Sequence, residues 1–125
     1  MVELAGLVAY CDDLLEIDRY RDYCPNGLQV QGHAVVKKLV SGVTASQALL
    51  DAAVLADADA ILVHHGYFWK DENPRVVGVK QRRLKTLLDN NISLIAYHLP
   101  LDGHLELGNN AQLAKVCGFV SESQF

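Results

Sequence analysis

The sequence is short of several things, and each shortage narrows what the chain can be. No apolar run approaches the ~20 residues that cross a bilayer as a helix. The N-terminus, MVELAGLVAYCDD, lacks the basic start and the small-residue cleavage site of a secretory signal. Cysteines are few: Cys11, Cys24 and Cys117 are an odd number with no Cys-x-x-Cys pair. That argues against a disulfide framework or a zinc knuckle and for reduced thiols in the cytoplasm. A basic excess is missing too. Eleven Lys and Arg against fifteen Asp and Glu give a net charge of −4, whereas a duplex-binding domain uses positive charge to displace counterions. Nucleic acid is therefore not an expected partner, and neither is a membrane.

What is present is an ordinary globular balance, 50% hydrophobic and 21% charged over 125 residues. That is enough for one domain with a real core and not for two. Leu4, Leu7, Val8, Cys11, Leu14 and Leu15 recur at helical spacing and predict an amphipathic helix over roughly residues 3–16. Residues 18–34, broken by Pro25-Asn26-Gly27 and Gly32, read as a long loop. A β-branched run at Lys38–Val43 predicts a strand, and Thr44-Ala45-Ser46-Gln47 reads as a capping box opening a helix. That helix would place Ala45, Ala48, Leu49, Ala52, Ala53 and Ala56 on one stripe against a sheet.

Ala60–Val63 predicts a buried strand running into His64-His65-Gly66 and an aromatic turn, Tyr67-Phe68-Trp69. Residues 78–90 read as a helix with Leu84, Leu87 and Leu88 inward. Ile92–Tyr97 predicts the next strand, which ends in His98-Leu99-Pro100-Leu101-Asp102, and Gly108-Asn109-Asn110 introduces a last helix stopped by Gly118. Helix, then β-α-β-α-β-α, predicts an α/β fold: a parallel or mainly parallel sheet, right-handed crossovers, and helices on its faces. Phe119-Val120 reads as the start of one more strand, so the single domain over 1–125 looks cut short.

In an open parallel sheet, ligands bind beyond the carboxyl ends of the strands. Two predicted strands run into histidine-bearing turns at that edge. If those strands are neighbours, His64, His65 and Asp102 converge across 38 residues of sequence. Imidazole and carboxylate suit zinc, iron, manganese or nickel. Adjacent histidines leaving a strand should point in opposite directions, which suits two ions better than one, and paired ions are a known device for activating water. Each residue also has a plainer reading. A strand-end histidine can cap or face solvent, Asp102 can cap a turn, and His104 and Glu106 can be solvated loop residues. His98 can orient a ligand. Tyr67, Phe68 and Trp69 can stack on a flat substrate or form an interface or small satellite core, the second being preferred. The run Lys80–Lys85 reads as a solvated helix face.

Four stretches carry a resemblance: Tyr23-Cys24-Pro25-Asn26-Gly27-Leu28-Gln29-Val30, Ser41-Gly42-Val43-Thr44-Ala45-Ser46-Gln47, Val63-His64-His65-Gly66-Tyr67-Phe68-Trp69-Lys70 and Tyr97-His98-Leu99-Pro100-Leu101-Asp102. With Glu106-Leu107-Gly108-Asn109-Asn110-Ala111 they resemble the GTP cyclohydrolase I type 2 homologues, also called Nif-three-like proteins. The resemblance covers nearly the whole chain, as the N-terminal half of that family's fold. It implies two divalent metal ions in an α/β cleft, ring-opening hydrolysis of GTP as the named activity, a nucleotide substrate, and a homohexamer. His64 and His65 match paired histidines that ligate different ions, and Asp102 matches the motif carboxylate. His98 and Glu106, in the matching motif, are candidate proton carriers. The family's remaining ligands, a histidine and a glutamate, come from a C-terminal segment with no counterpart here. A rival class is a non-catalytic metal-binding, trafficking or regulatory scaffold; a third reading is a folding module without activity.

Overall fold

A computed structural model describes residues 1–120 and residue 122. The elements, in chain order, are β1 (Val2–Glu3), α1 (Leu4–Leu14), a 3-10 turn (Ile17–Arg19), β2 (Gly27–Val30), β3 (Val35–Val36), β4 (Leu39–Thr44), α2 (Gln47–Leu55), β5 (Ala60–His65), α3 (Gly78–Asp89), β6 (Ser93–Ala96), α4 (Leu99–Gly103) and α5 (Asn109–Cys117). The main sheet has the order β2-β6-β5-β4. β4, β5 and β6 are parallel neighbours; β2 joins the edge antiparallel to β6. β1 and β3 form a separate two-stranded ribbon.

The alternation along each central strand divides the core in two, because successive side chains leave a strand on opposite faces. Ile61, Val63, Leu94 and Ala96 pack with Leu50, Ala53, Leu84 and Leu87 of α2 and α3. Ala60, Ile95 and Tyr97 pack on the other face with Leu4 and Leu15, flanked by Leu7, Val8, Cys11 and Leu101. The α/β class with helices on both faces is therefore the observed one, and the sheet is mainly parallel.

Several local expectations are corrected. Residues 18–34 are not one loop: they hold the 3-10 turn and β2. Proline and glycine on either side hid a four-residue edge strand whose Leu28 and Val30 pair with Ile95 and Leu94. Thr44 is the last residue of β4, and α2 is capped by Ser46, whose hydroxyl accepts from the Leu49 N–H at 3.3 Å. The buried stripe of α2 is also not the expected one: Ala48 and Ala52 are exposed while Leu50 and Ala53 are fully buried. Leucine removes more apolar area from water than alanine and decides the phase. Leu88 is also exposed: it lies about 100° around α3 from Leu87, and the sheet takes Leu87.

Phe119 and Val120 belong to no strand; the extension expected after them lies outside the described residues, residue 122 apart. α5 stops where expected, with Gly118 at φ 71°, a left-handed cap that glycine adopts without strain. Among the described residues no helix is long and apolar enough to cross a membrane, and Cys11, Cys24 and Cys117 are unpaired.

The Ser46 cap yields a direct prediction. Ser46→Ala should destabilise the chain by about 1 kcal/mol, as the loss of a hydroxyl cap does, read as a lower urea midpoint at unchanged slope. Thr44→Ala should leave the helix cap intact. An unmoved midpoint in Ser46→Ala would show that the cap contributes nothing.

Candidate functional site

The carboxyl ends of β5 and β6 deliver the histidines. The β5–β6 ladder ends at the Val63–Ala96 pair, so His64 and His65 stand beyond the end of β6. The expectation that they point apart is corrected there: their ring centroids are 4.4 Å from each other. The β6 side of β5 is open at this height, beyond the Val63–Ala96 pair. His98 fills it, its ring centroid 5.0 Å from that of His64 and 5.7 Å from that of His65. The three imidazoles offer ligand atoms that all lie within 4.8 Å of one another.

Each ring is anchored through Nδ1. His64 Nδ1 lies 3.0 Å from the Tyr97 carbonyl oxygen, His65 Nδ1 3.1 Å from the Thr44 hydroxyl, and His98 Nδ1 2.8 Å from Asp22 Oδ1. A carbonyl only accepts, so neutral His64 carries its proton on Nδ1 and presents a lone pair on Nε2. That Nε2 lies 3.5 Å from Asp102 Oδ1. Burial, first of all, and the charges of His64 and His98 hold His65 below the ordinary imidazole pKa against the opposing pull of Asp102. His65 is therefore neutral near pH 7, the form that ligates.

Asp102 sits on α4 at the margin of the three rings and accepts from Asn109 Nδ2 at 3.0 Å, which ties the start of α5 to the site. Glu106 stands apart, exposed on the turn between α4 and α5; its backbone N–H donates to His104 Nδ1. A cavity of about 410 Å³ opens beside His64 between α1 and the α4–α5 turn, with Leu14, Leu62, Leu101 and Leu107 among its walls.

Two contributors were not anticipated. The first is the Asp22–Asn26 segment. Because β2 runs antiparallel to β6, its start, Gly27, pairs with Ala96 at the end of β6, and the preceding loop lands on the histidines. Asp22 Oδ1 accepts from the Tyr23 N–H at 2.6 Å and from His98 Nδ1. Its Oδ2 accepts from Asn26 Nδ2 at 3.0 Å and the Leu99 N–H at 2.7 Å. Asn26 Oδ1 in turn accepts from the His98 N–H at 2.7 Å. Burial alone would raise the Asp22 pKa, but these hydrogen bonds outweigh it and hold the carboxyl below its usual value. The available sequence signal was Asp22 and Asn26 flanking Pro25, read only as a turn.

The second is Trp69, whose ring stands edge-on to His98 at 4.9 Å between centroids and 6.2 Å from His65. The aromatic run thus divides. Tyr67 is buried in the main core and donates its hydroxyl to the Ala45 carbonyl, Phe68 packs edge-on to Tyr67, and Trp69 walls the site. Lys80, expected outward, folds back over Phe68 and pairs with Glu72 at 3.2 Å. Gln29, skipped at the irregular register between Leu28 and Val30, braces this turn. It accepts from the Tyr67 N–H and donates to the Tyr67 carbonyl.

Asp22, Cys24 and His98 form a second group with ligand-capable atoms within 4.8 Å, yet it reads as a brace. Four donors occupy the Asp22 oxygens, and burial, then the Asp22 charge, push the Cys24 thiol up to about 11, far from thiolate.

Comparisons with known proteins place the chain in a family and agree with its fold. The family model Duf34/NIF3 (NGG1p interacting factor 3) matches residues 2–125. The GTP cyclohydrolase 1 type 2 homolog of Pseudomonas aeruginosa is 68% identical over 121 residues, 97% of this chain and 48% of that protein. The Escherichia coli K12 protein of the same name is 66% identical over 99 residues, 79% of this chain and 40% of that one. The chain thus spans about half the length of the curated relatives it matches. Among solved structures, protein ybgI, described as of unknown function, superposes with a TM-score of 0.96 at 54% identity, covering 98% of this chain and 50% of that one. TTHA1606 from Thermus thermophilus gives 0.90 at 42%, covering 99% and 51%.

Proposed function

The chain belongs to the Duf34/NIF3 family, and from that premise we propose that His64, His65 and Asp102 hold divalent cation, with His98 beside them. One observation carries the reading. In the neutral state, His64 Nε2 turns a lone pair toward the Asp102 carboxylate at 3.5 Å, so two acceptors face each other. A proton or a cation reconciles such a pair. The lowered pKa of His65, with two further imidazoles in reach, favours a cation over added protons. Imidazole and carboxylate donors fit zinc, iron, manganese or nickel. A bound divalent ion supplies Lewis acidity and lowers the pKa of water.

The protein's own residues do the remaining work. The Tyr97 carbonyl and the Thr44 hydroxyl orient the paired imidazoles, Asn109 orients Asp102, and Trp69 keeps water from one side of His98. His98, anchored at Nδ1, keeps Nε2 to give or take a proton; Glu106, exposed nearby, is the weaker candidate for that task. In the complete family form we take the site to hold two ions, with further ligands from the length of the relatives that this chain does not match. That form would be a metal-dependent hydrolase opening the ring of a nucleotide such as GTP. The names of the curated relatives support that activity. A homo-oligomer belongs to the same reading, supported by the exposed Leu113, Val116, Phe119 and Val120 on and after α5. So does a cytoplasmic location, supported by three unpaired thiols.

The test uses Trp69, the one tryptophan of the chain. Adding Co²⁺ to the 125-residue protein should quench its fluorescence saturably. GTP consumption with manganese or zinc should stay near background, and should rise when the chain is extended to its relatives' full length. No saturable quenching by Co²⁺ would remove the cation reading. Turnover by the short chain at the extended protein's rate would show that it needs no further ligands.

A further inference from the structure

The Asp22 side chain is only 3% exposed, and among the described residues it has no lysine or arginine partner. A carboxylate taken out of water is costly unless its lone pairs are met by donors. Here the donors are two backbone N–H groups, an amide and an imidazole. They fill both oxygens, so Asp22 is not free to ligate anything itself. Three of the four cannot respond usefully to what faces them: the N–H groups of Tyr23 and Leu99 are fixed donors, and Asn26 is committed by the bond its Oδ1 receives from His98 N–H. Only the imidazole has a choice of tautomer. An ionised carboxylate removes that choice, because it can accept from Nδ1–H and cannot donate.

We propose that Asp22 is the positioning residue of the site: it locks His98 in the Nδ1–H tautomer and so presents the Nε2 lone pair to the space shared with His64 and His65. The use made of that lone pair rests on the cation reading above; the lock on the tautomer does not. On the cation reading that lone pair faces the ion held by His64, His65 and Asp102, and losing a carboxylate that orients a histidine toward a metal typically weakens metal affinity about 10–100-fold. Asp22 reaches this place from the loop before the antiparallel edge strand, so the site draws on that loop as well as on the end of β5 and the turn after β6.

Asp22→Asn keeps the shape and separates the two roles of the carboxylate. With its oxygen toward Leu99 and Asn26, the new amide leaves only the Tyr23 N–H unmatched and turns its NH₂ toward His98. With its oxygen toward His98, it sets the NH₂ against both Leu99 N–H and the Asn26 amide. The first arrangement leaves fewer donors unpaired and requires His98 to accept at Nδ1, which moves the proton to Nε2.

The experiment is long-range ¹H–¹⁵N correlation of metal-free protein at about pH 8.5, above the ordinary imidazole pKa, beside Co²⁺ titrations followed through Trp69. The expected results are His98 as Nδ1–H in the wild type, Nε2–H in Asp22→Asn, and Co²⁺ binding weakened about 10–100-fold in the variant. A wild-type His98 carrying its proton on Nε2 overturns the proposal, and needs no variant should Asp22→Asn fail to fold. So does a folded variant with unchanged tautomer. A wild type that binds no Co²⁺ while its His98 is Nδ1–H, and Nε2–H in the variant, removes the cation reading and supports the lock.

Discussion

His64→Ala is expected to weaken Co²⁺ binding by more than about a hundredfold, beyond the 10–100-fold typical of losing an orienting partner, while the protein stays folded. The imidazole is the ring nearest Asp102, and its orientation is set from the neighbouring strand through the Tyr97 carbonyl. Alanine removes the donor atom outright, and no other described side chain forms a bridge from that position to Asp102. The folding cost is of another order. One hydrogen bond to a backbone carbonyl is lost, worth about 1 kcal/mol, at the tip of a strand whose hydrophobic pairs lie below. His65→Ala and Asp102→Ala should behave alike in direction. Glu106→Ala should bind as the wild type does, since its side chain is exposed on the α4–α5 turn. Equal Co²⁺ affinity in wild type, His64→Ala, His65→Ala and Asp102→Ala would place the site elsewhere.

The second large effect is expected far from the histidines, at Gly32. A Cβ there would lie 2.0 Å from the Asn91 carbonyl oxygen and 2.4 Å from its carbon. Both are backbone atoms, so no side-chain rotation relieves the clash. The close approach has a purpose in the fold. Gly32 N–H donates to the hydroxyl of fully buried Ser93 at 2.9 Å, and His33 N–H donates to the Asn91 carbonyl at 2.9 Å. Together they fasten the chain leaving β2 to the start of β6. Gly32→Ala must spread these segments or break both bonds. A destabilisation of about 3 kcal/mol, at the upper end of ordinary overpacking, corresponds to a melting temperature lower by roughly 10 °C for a domain of this size. Calorimetry decides it: a variant melting within a degree or two of the wild type would mean that the two segments part at little cost.

Residues near each other in sequence were the legible ones. The helix at residues 78–90 is present as Gly78–Asp89 and the strand at Ala60–Val63 as Ala60–His65, because each is a long periodic or β-branched run with clear ends. Gly118 stops the last helix because left-handed backbone favours glycine whatever surrounds it. Small elements fared worse. β2 is four residues long and owes its existence to β6, with which it pairs; its own composition says only turn. The start of α2 turned on whether Thr44 or Ser46 served as cap, and pairing of Thr44 with His65 in the β4–β5 ladder decided it.

The sequence by itself determined the α/β class, the three parallel strands, and the placement of two histidine-bearing segments at one edge of the sheet. Periodicity and strand order are local properties, and a parallel sheet brings every strand's carboxyl end to the same side. Only the tertiary structure decided how that edge is completed. It turned His64 and His65 toward each other beyond the end of β6, left Glu106 in solvent, and brought Asp22 across 76 residues to His98. Whether two side chains meet at 2.8 Å depends on the direction of an edge strand and the length by which one strand outruns the next. Those are set by pairing between distant segments, and the residues that pair carry no mark of it in their own neighbourhood.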